Sequence, residues 1–254
     1  MGKIIAITGK GGTGKTTVSA LIIRTLLENK SGAILAVDAD PNSNLAEVLA
    51  LKVEDTISSI CEEMLREKDR LPAGMTKDRY LEYRIQESMV EKNSLSLFAM
   101  GRPEGPGCYC YVNNLLKGMI KDITDNYDFT VIDNEAGMEH LSRKTMRKID
   151  ILFVVSDFSI VGIRTASRIY KLACAMEIKL GKSFLIVNKS KDNHPALEKE
   201  VQDAGLALAG ILPFDTGVEK FSLEGKSIFD LPKESGIVKS MNVILDKTVY
   251  NVRG

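Results

Sequence analysis

The chain has 254 residues, 44% of them hydrophobic, enough to bury a sizeable core in one large α/β domain or two small ones. Lys plus Arg and Asp plus Glu each number 34, so the formal net charge is zero, which argues against non-specific DNA binding by clustered cations. No apolar run reaches transmembrane length, no secretory signal opens the chain, and four cysteines do not make a disulfide scaffold at this length. A cytoplasmic protein with neither a membrane nor a nucleic-acid partner is expected, and the absence of Trp argues weakly against stacking of single-stranded nucleic acid.

In chain order, Lys3–Thr8 reads as a strand, Lys15–Glu28 as a helix and Ala33–Asp38 as a strand. Helices are expected at Ser43–Leu49 and Thr56–Glu67, and the charged stretch 67–93 reads as helical decoration outside the sheet. There follow strand Leu95–Met100, helix Val112–Thr124, strand Phe129–Asp133, helix Glu139–Lys148, strand Ile151–Ser156 and helix Gly162–Glu177. Strand Ser183–Asn188, helix Pro195–Asp203 and strand Ala207–Leu212 come next. A last helix, Gly236–Val249, lines Ile237, Met241, Ile244, Leu245 and Val249 along one face. Most strands are unbroken runs of Ile, Val, Leu and Phe, as in a parallel sheet covered on both faces. The alternation predicts a single doubly wound α/β domain over 1–254, with a mostly parallel central sheet flanked by helices.

The run Gly9-Lys10-Gly11-Gly12-Thr13-Gly14-Lys15-Thr16 fits G-x-x-x-x-G-K-[ST], with a strand entering and a helix leaving. Such glycines let successive N–H groups converge on phosphate oxygens, and the helix N-terminus adds partial positive charge. Gly11, Gly12, Thr13, Gly14, Lys15, Thr16 and Thr17 are therefore the expected nucleotide-binding residues. Lys15 reaches the β- and γ-phosphates in this reading, and the Thr16 hydroxyl binds magnesium.

Three carboxylates follow at or just beyond strand ends. Asp38 and Asp40, in Asp38-Ala39-Asp40-Pro41-Asn42, belong beside the phosphates, with Asp38 near magnesium. The bland alternative is helix capping, for which Asn42 and Ser43 are equally suited. Asp133 closes an apolar strand in a Walker-B arrangement, and Gly137 beyond it brings an N–H toward the γ-phosphate. Asn188-Lys189 resembles the start of the guanine-reading N-K-x-D, but position 191 is lysine, which favours adenine.

Lys10, a second lysine inside the loop, resembles the deviant Walker-A loop of the MinD/ParA-like family, which also includes nitrogenase iron protein and metal-insertion ATPases. The resemblance implies an ATPase that splits ATP to ADP with magnesium. It implies that Lys10 acts across a homodimer, as an arginine finger does, and that Asp40 orients the attacking water. It also implies that Asn188 and the segment around Pro213 hold adenine. The run from Asp133 to His140 has Glu135 where the partitioning branch has proline, and is similar instead to the CooC branch of nickel-insertion ATPases, with AcsF a near relative.

Cys108-Tyr109-Cys110 selects among functions. Cysteines two apart on an extended stretch point to opposite sides, although a turn can bring them together. One chain supplies two thiolates, whereas a closed soft-metal site takes four ligands; a two-fold dimer supplies both twice. The resemblance to CooC implies such an interfacial site, with Ni²⁺ or Zn²⁺ as the metal and carbon monoxide dehydrogenase or acetyl-CoA synthase as client. A redox pair or two inert thiols are the alternatives, and thiolates also admit Cu(I) or iron–sulfur clusters. Cys61 and Cys174 read as small buried residues. The competing functions are a positioning ATPase on membrane or DNA, for which the C-terminus has no basic tail, and an ATP-driven electron donor, for which Asp133 to His140 has no cysteine.

Overall fold

In the computed structural model of the chain, residues 2–66, 74–102, 123–135, 148–176, 178–191 and 195–251 are described, and absences noted below are absences among them. Strand β1 (Lys3–Gly9) lies in the interior of an eight-stranded sheet, between β5 (Phe129–Asn134) and β6 (Lys148–Asp157). Ile5, Ala6 and Ile7 have no exposed surface, which is what an unbroken apolar run achieves when both sheet faces are covered. The strand order is β3-β4-β2-β5-β1-β6-β7-β8, with β2 at Ile34–Ala39, β3 at Val90–Lys92, β4 at Leu95–Ala99, β7 at Lys179–Ser190 and β8 at Ala207–Pro213. Every pairing is parallel except β3 with β4. The chain winds from β1 to β2 on one side and through β6, β7 and β8 on the other. The crevice above the carboxyl ends at such a reversal is where doubly wound sheets bind ligands.

Helices cover both faces. Helix α1 (Lys15–Glu28), α2 (Asn44–Val48) and α8 (Gly236–Leu245) contribute Leu21, Ile22, Leu45, Met241 and Ile244 to one core with Ile5, Ile7 and Phe153. Helix α3 (Ile57–Arg66), α4 (Lys77–Glu87) and α5 (Ile160–Cys174) contribute Ile60, Cys61, Leu81, Ile85 and Ile163 to the other, with Ala6, Ile132 and Val154. Arg24 of α1 is almost wholly buried and needs partners for its charge; its Nε meets Glu28 at 3.0 Å, and a terminal nitrogen donates to the Ile228 carbonyl at 2.7 Å. Helix α6 spans Pro195–Asp203 and α7 spans Thr216–Leu223.

The structure departs from the sequence reading in several places. Within 67–93, α4 is helical, but Val90–Lys92 is an edge strand of the sheet rather than helical decoration. Asn93, at φ 56°, opens the tight turn into β4, and the charges of Glu91 and Lys92 suit an exposed sheet edge. The last helix stops at Leu245 and continues as a π-turn over Asp246–Tyr250. Helix α7 was not expected; Asp215 caps it, accepting from the Gly217 N–H at 2.8 Å. Cys174 is exposed rather than buried, because the last turn of α5 faces the core with Ala173. Of the helix expected over Val112–Thr124, only Ile123 and Thr124 are described; of that over Glu139–Lys148, only Lys148, which opens β6. No described helix is long and apolar enough to cross a membrane.

Candidate nucleotide site

β1 delivers the chain to the sheet's carboxyl edge at Gly9, where any Cβ would collide with the Val155 carbonyl of β6. Gly14 has φ 88°, and a Cβ there would sit 2.5 Å from the Asn188 amide nitrogen. Close approach and a left-handed backbone therefore both demand glycine at this corner. The loop folds over the Lys10 carbonyl, which accepts from the Thr13 hydroxyl at 2.8 Å and lies 3.5 Å from the Lys15 ammonium. Lys15 and Thr13 are buried; Lys10, Gly11 and Gly12 face solvent. The side chain of Lys10 makes no hydrogen bond or ion pair among the described residues.

Asp38 and Asp133 stand side by side, paired in register on β2 and β5. Asp133 accepts from Ser19 at 3.0 Å beside the Thr16 hydroxyl, and its Oδ2 is buried without a hydrogen-bond partner. Burial pushes its pKa up to about 6, against the lowering effect of those hydroxyls and of Lys15. Asp38 accepts from the Leu45 N–H at 2.8 Å and the Asp40 N–H at 3.2 Å. Burial is also the main cause of its rise to about 7, and the neighbouring Asp133 adds to it. Asp38 thus supplies the cap of α2, the alternative role weighed for this acidic run, and neither Asn42 nor Ser43 does. Ser43 sits at φ 50° and makes no capping bond. Asp40 instead folds its Oδ1 onto the backbone and amide N–H groups of Asn42, at 2.9 and 3.0 Å.

Buried carboxylates with raised pKa values favour the folded state at low pH. Their contribution is full below the unfolded value of 3.8 and is lost as pH rises through about 6 to 7. The stability of the nucleotide-free protein relative to its Asp38→Asn variant is therefore expected to fall between pH 4 and pH 8, measured by urea unfolding. A stability difference that does not change with pH contradicts the burial of that charge.

At the other side of the loop, Asn188 donates to the Thr13 carbonyl at 2.9 Å, and the Lys189 ammonium donates to the Gly12 carbonyl at 3.0 Å. Pro213 closes β8 beside Ser190, and the Lys191 ammonium lies 5.1 Å from the centre of the Phe214 ring. Thr17 opens onto a cavity of about 400 Å³ walled by Glu47, Val48, Val218 and Phe221. Every sequence-designated residue that is described converges on this edge. Gly137, Cys108 and Cys110 lie outside the described residues, and no cluster of three metal-ligating side chains occurs among those described. Sequence reading missed Asn134, which is buried and donates to the Ile7 carbonyl at 2.8 Å, tying the end of β5 to β1. Its signal was its place directly after Asp133. It also passed over Lys189 as a phosphate-loop contact.

The donor set fits a magnesium nucleotide: a glycine cradle, a buried lysine at its mouth, and a carboxylate oxygen without a partner beside a threonine hydroxyl. Comparison with known proteins agrees. The chain matches the CobQ/CobB/MinD/ParA nucleotide binding domain over residues 4–228. It is 43% identical to an uncharacterized ATP-binding protein of Methanocaldococcus jannaschii, over 97% of this chain and 98% of that one. It is 30% identical to the carbon monoxide dehydrogenase accessory protein CooC of Rhodospirillum rubrum, over 89% of each chain. A ParA family ATPase from Chlorobium tepidum superposes with a TM-score of 0.73 at 19% identity, over 98% of this chain and all of that one.

Proposed function

We propose, for a chain that belongs to the CobQ/CobB/MinD/ParA nucleotide-binding family and is an ATPase, that hydrolysis drives nickel insertion into a client enzyme. Carbon monoxide dehydrogenase or acetyl-CoA synthase is that client. The observation that carries this reading is the similarity to CooC over 89% of each chain, joined to a Cys-x-Cys pair at Cys108 and Cys110.

In this proposal ATP bridges two copies of the chain. Lys15 and the N–H groups of the loop from Gly11 to Thr17 hold the phosphates, while Asn188 and Pro213 bound the adenine. Thr16 and Asp133 would hold magnesium, with Asp38 behind them, and the ion would supply positive charge to the phosphates. Asp40 orients the attacking water, and the solvent-facing Lys10 supplies a cation to the other copy's phosphates. Gly137 follows the γ-phosphate and relays its loss. Closure brings the two Cys108/Cys110 pairs together as a thiolate site, and hydrolysis releases the bound nickel. Such a switch requires ATP and ADP to differ in affinity for the closed and open pairs. All of it lies in 1–254 taken as one domain in the cytoplasm.

The test is metal binding by the purified protein. Nickel is expected to be retained in a dimer by the wild type and lost from Cys108→Ala, with ATP binding intact in both. Unchanged nickel stoichiometry in Cys108→Ala removes the site.

A further inference from the structure

We propose that a second site, on the edge of the sheet away from the phosphate loop, binds a small organic anion with an apolar tail, of the class of medium-chain carboxylates. Strands β2 and β4 are parallel neighbours, and the Ile34 N–H at the start of β2 donates to the Ser94 carbonyl at 2.8 Å. Ser94 also borders a cavity of about 580 Å³, which therefore sits at the amino ends of these strands and has the size of a small-molecule site. Leu27, Leu51, Leu95 and Phe229 give it an apolar floor, and Lys30 and Lys92 stand in its wall. No acid is among the described residues that line it, although the chain has as many acids as bases. Such a site is independent of metal insertion.

Two separate elements bring the lysines to one hollow. Lys30 follows the end of α1 at φ 51°, in the left-handed turn that commonly ends a helix. Lys92 stands opposite Leu95 in the antiparallel pair of β3 with β4, so both side chains lie on one face, the face on which Leu95 and Val90 pack with α1; Glu91 projects from the other. The side chains of Lys30, Lys92 and Asn93 make no hydrogen bond or ion pair among the described residues. Asp128, which packs against Gly32, is engaged by the Ala33 N–H at 2.8 Å. Each lysine alone has a local reason: Lys30 offsets the negative end of α1, and Lys92 guards a sheet edge. Neither reason sets two positive charges over one apolar floor without a counter-charge. A ligand with an anionic head and an apolar tail satisfies both, whereas a bare anion leaves the floor wet and a neutral ligand leaves the ammonium groups without a partner.

The experiment titrates the full chain with octanoate, with acetate (the charge without the tail) and with octylammonium (the tail with the opposite charge). Octanoate is expected to bind with a Kd on the order of 1 mM, the scale for so small a ligand, and the other two at least about ten-fold more weakly. In the double variant Lys30→Gln with Lys92→Gln, octanoate affinity falls about ten-fold, while melting temperature and ATP hydrolysis stay at wild-type values. No binding of octanoate overturns the proposal. So does octylammonium binding as tightly as octanoate, or octanoate binding unchanged in the double variant, since either makes the contact apolar only. Should the double variant not fold, Lys92→Glu, on the exposed sheet edge, carries the same comparison.

Discussion

Lys10→Ala is expected to lower ATP hydrolysis by about a thousand-fold while leaving ATP binding nearly intact, the scale on which a cation supplied in trans acts. The two lysines of the loop differ in ways that assign them different work. Lys15 is buried and its ammonium lies against the Lys10 carbonyl, inside its own loop. Lys10 projects into solvent from the same loop. In the proposed pair a cation there acts on charge developing on the other copy's nucleotide, so the wild type's specific activity should rise with protein concentration while that of Lys10→Ala stays flat.

Asp40→Asn is expected to lose about 10²- to 10⁴-fold in hydrolysis, as for removal of a group that guides proton transfer, while its fold and ATP-bound pairing persist. The asparagine keeps an oxygen where Asp40 now meets the backbone and amide of Asn42, so the turn survives. If holding that turn were the whole role of Asp40, Asp40→Asn would hydrolyse ATP at the wild-type rate. The two variants together separate cis from trans action. Mixed in equal amounts, half the pairs combine both variants, and one of their two sites then has an intact Asp40 facing an intact Lys10. Activity should return to about a quarter of wild type, a recovery that only an action of Lys10 across the pair allows.

The sheet and its phosphate loop were legible because a strand buried on both faces is written as an unbroken apolar run, as in Ile4-Ile5-Ala6-Ile7, and because glycine spacing records backbone geometry directly. Asp38 and Asp133 were legible for a related reason: each ends such a run. Val90–Lys92 was not, since an edge strand of three residues with two charges has too short an apolar pattern to read. The cap of α2 was legible only as an alternative for the acidic run, because the acceptor comes from β2, seven residues before the N–H it serves. Lys189 and Arg24 were hidden by distance along the chain. Each meets a carbonyl that only the fold brings near, Gly12 for one and Ile228 for the other.

In the proposed function, nucleotide controls how two copies meet, and their meeting builds the nickel site from Cys108 and Cys110. Solution mass and bound nickel, determined together with ADP and with a non-hydrolysable ATP analogue, test it most directly. With the analogue and nickel, a dimer retaining the metal is expected, and with ADP a loosened pair that gives the metal up. A single chain under saturating analogue and nickel, or a dimer equally loaded with either nucleotide, contradicts it.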